Sequence, residues 1–397
     1  MRLHGRTGEL DTLVHHLELA ASGRAQLALL EGEAGMGKTR LVDETMTLAR
    51  KRGFQVFHGR VEELERTRPF GAFADALHCH RRSKDPARAA VGGLLTGEIG
   101  DGLGAPASQF RVIDAFVELC ERLTTGGPVL LALEDLHWAD PTTLLTVRAT
   151  VRQLAQAPVM LVGTYRPTPQ RPEMARLVEV SAEEGACLLR LMPLPREAVI
   201  ALVTECAGAV PGPRLCGQLD RTGGSPLYAL ELIKSLDEQA ALQRVDGQVE
   251  AEETELPATL RLTILRRLRG LPEATVELLR LASILGSALS LTDLSRLAKR
   301  PAVELLPAVR EARAAGVLGE SGGQLAFRHD LVREAIYTDL PLPVRQALHH
   351  DFGQALAAAG GPPVRVATHL ALGATVGDDQ AVRWLRQAAR EAGPRAP

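Results

Sequence analysis

Several features that would indicate other classes of protein are missing from this sequence. Aromatic residues make up only 3% of the chain, which leaves few side chains for stacking on nucleic-acid bases. The formal net charge is −2, so broad electrostatic adhesion to DNA or to an anionic membrane is not expected. The N-terminus lacks the apolar core of a signal peptide, and no apolar run approaches the length of a membrane span. These absences predict a cytoplasmic protein without a membrane partner.

Cysteine is sparse and unpatterned. The five cysteines are scattered and form no Cys-x-x-Cys pair, which suits unpaired thiols in a reducing compartment. The tripeptide His-Cys-His at residues 78–80 could supply metal ligands by residue type. Adjacent residues on one element point in different directions, however, so we interpret these three as structural.

The first half of the chain alternates short apolar runs with amphipathic stretches. This alternation is typical of βαβ units around a parallel sheet. Strands are predicted at residues 26–31, 55–59, 128–133, 158–164 and 186–194. We therefore predict an α/β P-loop nucleotide-binding domain over residues 1–194.

From about residue 195 the alternation stops and the chain becomes helical. Residues 195–255 are predicted to form a helical lid that ends in a polar, acidic linker at 239–255. Residues 256–343 combine helices with a hairpin around residues 321–323, which favours a winged-helix-like domain. Residues 344–397 show helix pairs and are predicted to form a helical tail, the start of an array of TPR-like repeats.

A glycine-rich loop follows the first predicted strand. Its sequence is Gly32-Glu33-Ala34-Gly35-Met36-Gly37-Lys38-Thr39. The glycines let backbone N–H groups curl around a β-phosphate, and the helix that follows directs its positive end to the same place. Lys38 is predicted to reach the β- and γ-phosphates, and the Thr39 hydroxyl to bind Mg²⁺. Because the loop lies between a predicted strand and a predicted helix, we interpret it as a site for ATP with Mg²⁺.

An acidic pair ends the buried run of the third predicted strand. Glu134 and Asp135 directly follow the apolar residues 130–133. Carboxylates at the end of such a strand lie beside the Mg²⁺ site, where one supports the metal and another polarises the attacking water. The usual order places Asp first, whereas Glu comes first here. Which of the two supports Mg²⁺ and which acts as the base stays open.

The next predicted strand ends in Arg166. Neighbouring parallel strands bring their C-terminal ends to one crevice, so Arg166 is expected to sense the γ-phosphate; the alternative is a solvated surface arginine. Asp140 before Pro141 and a helical run is typical of a helix N-cap. His137 and Trp138 lie between the acids and that helix, and either could serve only in packing.

Taken in order, these motifs resemble the ATPase region of the STAND class of P-loop, AAA-like ATPases, in particular that of the large LuxR-type ATP-binding transcriptional regulators. The resemblance covers nearly the whole chain. Residues 3–10 resemble the family's opening Gly-Arg-Glu box, residues 134–141 its second acidic motif, residues 163–166 its sensor strand, residues 221–228 its lid motif and residues 327–337 the end of its winged-helix domain. The lid motif departs from the family pattern, since Ser225 stands where Asn is usual.

The resemblance implies a set of nucleotide-site residues. Gly5 and Arg6 would lie near the adenine and Pro226 would pack on it, while His329 would contact the ADP β-phosphate or, alternatively, serve only in packing or capping. The implied nucleotide-binding set is Gly5, Arg6, Gly32, Glu33, Ala34, Gly35, Met36, Gly37, Lys38, Thr39, Arg40, Pro226 and His329; the catalytic set is Glu134, Asp135 and Arg166; and the Mg²⁺ set is Thr39, Glu134 and Asp135.

The function that the resemblance implies is a regulatory switch. ADP would hold the lid and the winged helix closed on the α/β domain, and ATP with an unidentified inducer or partner protein would open it and permit self-association. Slow ATP hydrolysis would reset the switch. Full-length members of the family continue into helical repeats and a C-terminal helix-turn-helix, whereas this chain stops near the first repeat helices. No direct DNA contact is therefore expected from this chain.

Two other functions stay open at this point. One is a free-standing ATPase that remodels a substrate or drives transport, and the other is a regulatory ATPase module of a multidomain cyclase or kinase. Slow turnover with retained ADP would favour the switch over the free-standing enzyme.

Overall fold

A computed structural model describes most of the chain, namely residues 2–61, 68–96, 106–167, 171–245, 247–251, 257–286, 288–321, 323–374 and 378–392. The chain divides into two compact units. The first comprises Met1–Gly208 with Gly224–Leu227, and the second comprises Ala209–Gly223 with Tyr228–Pro397. The four domains predicted from the sequence remain predictions.

The first unit alternates strands and helices. Its strands are β1 (Gln26–Glu31), β2 (Gln55–Arg60), β3 (Val129–Glu134), β4 (Val159–Tyr165) and β5 (Cys187–Arg190). Its helices are α1 (Thr7–Ala21), α2 (Lys38–Lys51), α3 (Gly71–Ala76), α4 (Pro86–Leu95), α5 (Pro106–Thr124), α6 (Pro141–Gln153), α7 (Pro172–Glu183) and α8 (Arg196–Ala207). The predicted bounds of β1 match the structure, whereas β5 is shorter than the predicted 186–194.

The five strands form one parallel sheet in the order β2-β3-β4-β1-β5. Successive side chains of a strand point to opposite faces, and both faces of this sheet are covered. Leu29 and Leu131 pack in one buried cluster, while their neighbours Leu30 and Leu130 pack in the other. Burial on both faces explains why the strands appear as unbroken apolar runs in the sequence. The predicted parallel α/β fold is confirmed.

The second unit is mainly helical. Its helices are α9 (Pro213–Asp220), α10 (Pro226–Glu238, whose first two residues belong to the first unit), α11 (Ala258–Leu268), α12 (Glu273–Leu285), α13 (Leu291–Ala298), α14 (Ala302–Ala314), α15 (Asp330–Asp339), α16 (Leu342–Ala358), α17 (Pro363–Gly373) and α18 (Asp379–Ala392). Its strands are β6 (Val210–Pro211), β7 (Leu242–Val245), β8 (Gln248–Ala251), β9 (Ala288–Leu289), β10 (Leu318–Ser321) and β11 (Gln324–Phe327).

The prediction of a linker at residues 239–255 is wrong for the central part of that segment. β7 and β8 form an antiparallel hairpin there, and β8 also pairs with β6. The buried side chains Val249 and Ala251 alternate with more exposed polar ones along β8. A strand with only two buried residues of moderate size leaves a weak hydrophobic pattern, and the surrounding charges conceal it.

The hairpin predicted around residues 321–323 is confirmed. β10 and β11 pair antiparallel, with Ser321 opposite Gln324, and β9 adds a third strand. Residue 322 at the tip lies outside the described residues. Farther on, α16 packs against α17 and α17 against α18, in sequence order. Across the described part of the chain, no helix is both long and apolar enough to cross a bilayer.

Candidate functional site

The glycine-rich loop runs from the end of β1 into the start of α2. Gly35 and Gly37 adopt φ values of 85° and 89°, in the left-handed region that favours glycine. Gly37 is also the residue that precedes the first turn of α2. The loop therefore curls tightly at the N-terminus of a helix, which is the backbone geometry that binds phosphate.

Lys38 is buried at the centre of this loop. Its ammonium donates hydrogen bonds to the carbonyl oxygens of Gly32, at 2.6 Å, and Glu33, at 2.9 Å. Burial, together with the positive charge of Arg166, lowers the pKa of Lys38 to about 8, although Asp135 and other carboxylates oppose the shift. The ammonium is held within the loop by carbonyl oxygens, which phosphate oxygens could replace.

The next residue of the loop, Thr39, contacts Glu134 at the end of β3. The Thr39 hydroxyl donates to Glu134 Oε2 at 2.5 Å, and His58 Nε2 lies 2.8 Å from Glu134 Oε1. Glu134 is only 2% exposed. Hydroxyl and carboxylate oxygens are the hard ligands that Mg²⁺ prefers, and these two are in direct contact. The residues present therefore fit a Mg²⁺ ion, and their role as its ligands stays a prediction.

Asp135 holds an unusual backbone conformation. Its φ is 59°, in the left-handed region, which is uncommon for a residue other than glycine. Its N–H donates to Thr164 Oγ1 at 3.0 Å, and its carboxylate accepts from Arg60 at 3.0 Å. Backbone strain of this kind persists where surrounding contacts enforce it, often at functional sites.

The turn after the acidic pair contains a buried histidine. His137 lies in a single 3₁₀ turn, Leu136–Trp138, and its Nδ1 is 4.0 Å from Asp135 Oδ1. Burial and the charge of Arg166 lower the pKa of His137 to about 3. The turn leads into Asp140, whose carboxylate accepts hydrogen bonds from the backbone N–H groups of Thr142 and Thr143. The predicted N-cap at Asp140 is thus confirmed.

Arg166 follows β4 directly. Its positive charge lowers the pKa of both Lys38 and His137, which places it in their electrostatic environment. The side chain before it, Tyr165, is buried and donates from its hydroxyl to Glu31 Oε2 at 3.0 Å. The arrangement is compatible with a γ-phosphate sensor, and that role of Arg166 stays a prediction.

The N-terminal box contacts the phosphate loop through Arg6. The buried guanidinium donates to the carbonyl oxygen of Met36 at 3.2 Å and to that of Met192 at 2.5 Å, and it pairs with Glu9 at 2.8 Å. Gly5, with φ of 65°, packs so closely on Ala198 that a side chain would overlap it. Arg6 thus stabilises the phosphate loop through its hydrogen bond to the Met36 carbonyl. A direct contact between Arg6 and the nucleotide stays a prediction.

The remaining predicted residues are spread over both units. Pro226 lies in the segment Gly224–Leu227, and the Leu227 N–H of that segment donates to Gly35 O at 3.3 Å. Arg40 is exposed on α2 and lies 3.5 Å from Glu44. His329 belongs to the second unit, and its contact with a nucleotide stays a prediction.

His329 is buried within the second unit. Its ring meets Tyr228 edge to face, with 5.5 Å between the ring centroids, and a side chain at position 223 would overlap its Nδ1. Burial and the charges of Arg328 and Arg267 lower the pKa of His329 to about 4. The ring is therefore neutral near pH 7.

The loop, the acidic pair and His58 lie in a part of the chain, residues 2–162, that matches the family model of the AAA ATPase domain. The chain carries a P-loop ATPase domain of the AAA type. A curated relative, an uncharacterized protein of Rhizobium meliloti (strain 1021), is 26% identical over 390 residues, which cover 87% of this chain and 36% of the relative. The chain thus spans about a third of the length of that relative.

Two solved structures share the fold of this ATPase. The ORC2 protein of Aeropyrum pernix, solved in ADPNP and ADP complexes, superposes with a TM-score of 0.55 at 14% identity, over 90% of this chain and 96% of that one. A Walker-type ATPase of Pyrococcus abyssi gives a TM-score of 0.51 at 14% identity, over 84% of this chain and 96% of that one. At such low identity, the two comparisons support the P-loop ATPase fold alone.

The sequence interpretation missed three polar residues of the ATPase site. His58 and Arg60 on β2 contact Glu134 and Asp135 respectively, and Thr164 on β4 binds the Asp135 backbone. His58 and Arg60 are separated by two positions, so they lie on one face of β2. That spacing is visible in the sequence, but the pairing of β2 with β3 is not.

Proposed function

We propose that this chain is the nucleotide-gated switch of a signal-transduction ATPase like those of the large LuxR-type transcriptional regulators. ATP and ADP would favour different states, and slow hydrolysis would return one to the other. The phosphate loop, the acidic pair and the AAA family match support nucleotide binding. The lid motif, the hairpin and the helical tail, in the order that the resemblance implies, support a regulatory role.

The observation that carries the proposal is that the predicted catalytic carboxylates are hydrogen-bonded to other residues of the protein. Both oxygens of Glu134 have protein partners, Thr39 and His58, and Asp135 is paired with Arg60. Carboxylates engaged in this way are poor bases until their partners change. An ATPase whose acids must first be released favours slow turnover, as a switch requires.

The residue roles follow from these contacts. Glu134 contacts Thr39 directly, so we assign Glu134 to the metal side and Asp135 to the attacking water. Bound Mg²⁺ would neutralise charge on the β- and γ-phosphates. Lys38 and Arg166 would hold the phosphate oxygens, while Asp135 would orient a water and accept its proton as the water attacks the γ-phosphorus. The new P–O bond forms as the β–γ bridging bond breaks, and ADP leaves with that electron pair.

The segment Gly224–Leu227 is the candidate gate. It contacts the phosphate loop at Gly35 and is continuous in sequence with the second unit on both sides. A nucleotide can shift the equilibrium only through contacts that differ between the two states. We propose that Arg166 and His329 supply such contacts and that self-association follows activation by an inducer.

We interpret residues 256–343 as a winged-helix domain and residues 344–397 as the first helices of a repeat array. The three-stranded sheet β10-β11-β9 among helices supports the first assignment, and the consecutive packing of α16, α17 and α18 supports the second. The net charge of −2 supports a winged helix that works within the protein and does not bind DNA.

A second candidate is a regulatory ATPase module of a multidomain enzyme such as a cyclase or kinase. The curated relative is compatible with it, since this chain covers only 36% of that longer protein. Both candidates use the same nucleotide site and differ in what the switch controls.

Nucleotide retention and turnover test the proposal together. Protein purified without added nucleotide is expected to contain ADP, and its ATP turnover is expected to lie well below about 1 s⁻¹, the lower end of ordinary enzymes. Rapid turnover by the isolated chain without retained ADP would instead identify a free-standing ATPase.

A further inference from the structure

A buried histidine beside the acidic pair has no role in the function proposed above. His137 is 2% exposed, and neither of its ring nitrogens has a hydrogen-bond partner among the described residues. Buried polar groups nearly always have a partner, because a desolvated donor left unmatched is costly. The two unmatched nitrogens therefore indicate that the ring takes its partner from outside the described residues.

The surroundings of the His137 ring point to an anionic partner. Asp135 Oδ1 lies 4.0 Å from Nδ1, beyond hydrogen-bonding distance, so this carboxylate does not satisfy the ring. The positive charges of Arg166 and Lys38 also act on the ring. Lys38 is the residue predicted to bind the β- and γ-phosphates, and Arg166 the residue predicted to sense the γ-phosphate. His137 is also close to the acidic pair, since its Nδ1 lies 4.0 Å from Asp135 and the neighbouring Glu134 contacts Thr39 of the phosphate loop. The ring therefore lies near the groups that would surround a terminal phosphate.

The ring is also held in place. The Trp138 ring packs on it with 4.9 Å between centroids. Downstream of the turn, Asp140 caps α6 through the backbone N–H groups and hydroxyls of Thr142 and Thr143. The Asp140 cap fixes the end of the turn, and Trp138 packs on the His137 ring. The ring is therefore held in one orientation before a ligand binds.

We propose that His137 binds the terminal phosphate of ATP, donating one ring N–H to a γ-phosphate oxygen and so discriminating ATP from ADP. The inference rests on the proposed function, because it requires a nucleotide in the phosphate loop. A neutral imidazole always carries one N–H, and a hydrogen bond from it to a charged oxygen is stronger than one to a neutral acceptor. ADP has no γ-phosphate, so the contact distinguishes the two nucleotides.

The test compares two affinities in one set of variants. The affinities of the full chain for Mg·ADP and for Mg²⁺ with the β,γ-imido analogue of ATP are measured by calorimetry for wild type, His137→Phe and His137→Gln. Phenylalanine keeps the ring volume without either nitrogen, and glutamine restores one N–H donor. Trp138→Phe is the matched control, since it changes the packing neighbour and leaves the imidazole intact.

The proposal predicts a selective loss. His137→Phe is expected to weaken binding of the ATP analogue by about tenfold or more and to change ADP affinity less than about twofold. His137→Gln should recover part of the loss, and Trp138→Phe should leave the ratio of the two affinities at the wild-type value. Retained ADP binding by His137→Phe also shows that the variant is folded.

Two results would overturn the inference and are distinguishable. Equal losses for both nucleotides in His137→Phe, or no loss for either, would make His137 a packing residue while leaving nucleotide binding intact. A wild-type chain that binds neither nucleotide would overturn the proposed function itself, and this inference with it.

Discussion

At the scale of single residues, each charge of the site is already matched within the protein. Lys38 donates to two loop carbonyls, Glu134 contacts Thr39 and His58, and Asp135 pairs with Arg60. A nucleotide with Mg²⁺ has to exchange these contacts for its own. The free energy of binding is therefore a difference between two sets of contacts, and it shifts a conformational equilibrium only if that difference is unequal in the two conformations.

Replacing the two acids separately tests their assigned roles. Because Glu134 contacts Thr39 directly, Glu134→Gln is expected to weaken Mg²⁺-dependent ATP binding by about tenfold. Asp135→Asn keeps the shape and is expected to leave binding near the wild-type value while lowering turnover by about 100-fold, the usual effect of losing a general base. Binding with and without Mg²⁺, together with steady-state turnover, gives both quantities. The opposite pattern would exchange the two roles.

At the scale of elements, side chains link the C-terminal ends of β1, β4 and β5 beside the phosphate loop. Glu31 at the end of β1 accepts from Tyr165 of β4 at 3.0 Å and pairs with Arg190 of β5 at 3.2 Å. The backbone continues the connection, since Gly32 N–H donates to Tyr165 O at 3.2 Å. The first residue of the loop is thus joined to the residue before Arg166, and both depend on the register of β1 with β4.

Removing one hydroxyl tests this connection. Tyr165→Phe keeps the buried ring and loses the hydrogen bond to Glu31, so it is expected to lower the free energy of unfolding by about 2 kcal/mol, a typical value for a bond to a charged group. Thermal unfolding of Tyr165→Phe, Glu31→Gln and the double variant measures the coupling between them. Additive effects of the two substitutions would show that the contact contributes nothing.

The elements also show what the sequence could and could not predict. β1, β3 and β4 were predictable because burial on both faces produces apolar runs that end at the glycine loop, the acidic pair and Arg166. β7 and β8 were missed because they are short and half of their residues are polar. The roles of His58 and Arg60 depend on β2 pairing with β3, a contact between strands about 70 residues apart that local patterns do not encode.

At the scale of the whole molecule, the second unit has its own buried polar network. Tyr337 of α15 bonds His349 of α16 at 3.0 Å, and His349 Nδ1 lies 2.9 Å from His369 Nδ1 of α17. Burial lowers the pKa of both His349 and His369 to about 4. One neutral imidazole donates its Nδ1–H to the Nδ1 of the other, and burial disfavours a positive charge on either ring.

This network predicts an acid-sensitive fold. Because the folded pKa values of about 4 lie below the unfolded value of about 6.5, the unfolded chain binds more protons between these pH values. The contribution of the pair to stability is therefore complete above about pH 6.5 and decreases as pH falls toward 4, by about 3 kcal/mol for each histidine. Thermal unfolding from pH 7.5 to 4.5 measures this loss.

A double variant isolates the contribution of the pair. His349→Gln with His369→Gln is expected to reduce the loss of stability at acid pH and to leave the part that comes from buried His137 and His329. Replacement of the exposed His15 with Gln should leave the pH dependence as in wild type. If the double variant loses as much thermal stability between pH 7.5 and 4.5 as wild type does, the acid sensitivity comes from other residues of the protein.

Every function proposed for this protein depends on a nucleotide in the phosphate loop, and Lys38 is the residue on which that binding depends most. Calorimetric titration of the chain with ATP and Mg²⁺ tests it directly, with Lys38→Ala as the variant and Lys51→Ala, at the far end of α2, as the control. We expect wild type and Lys51→Ala to bind equally and Lys38→Ala to lose about 100-fold or more in affinity. Wild-type affinity in Lys38→Ala would contradict the account.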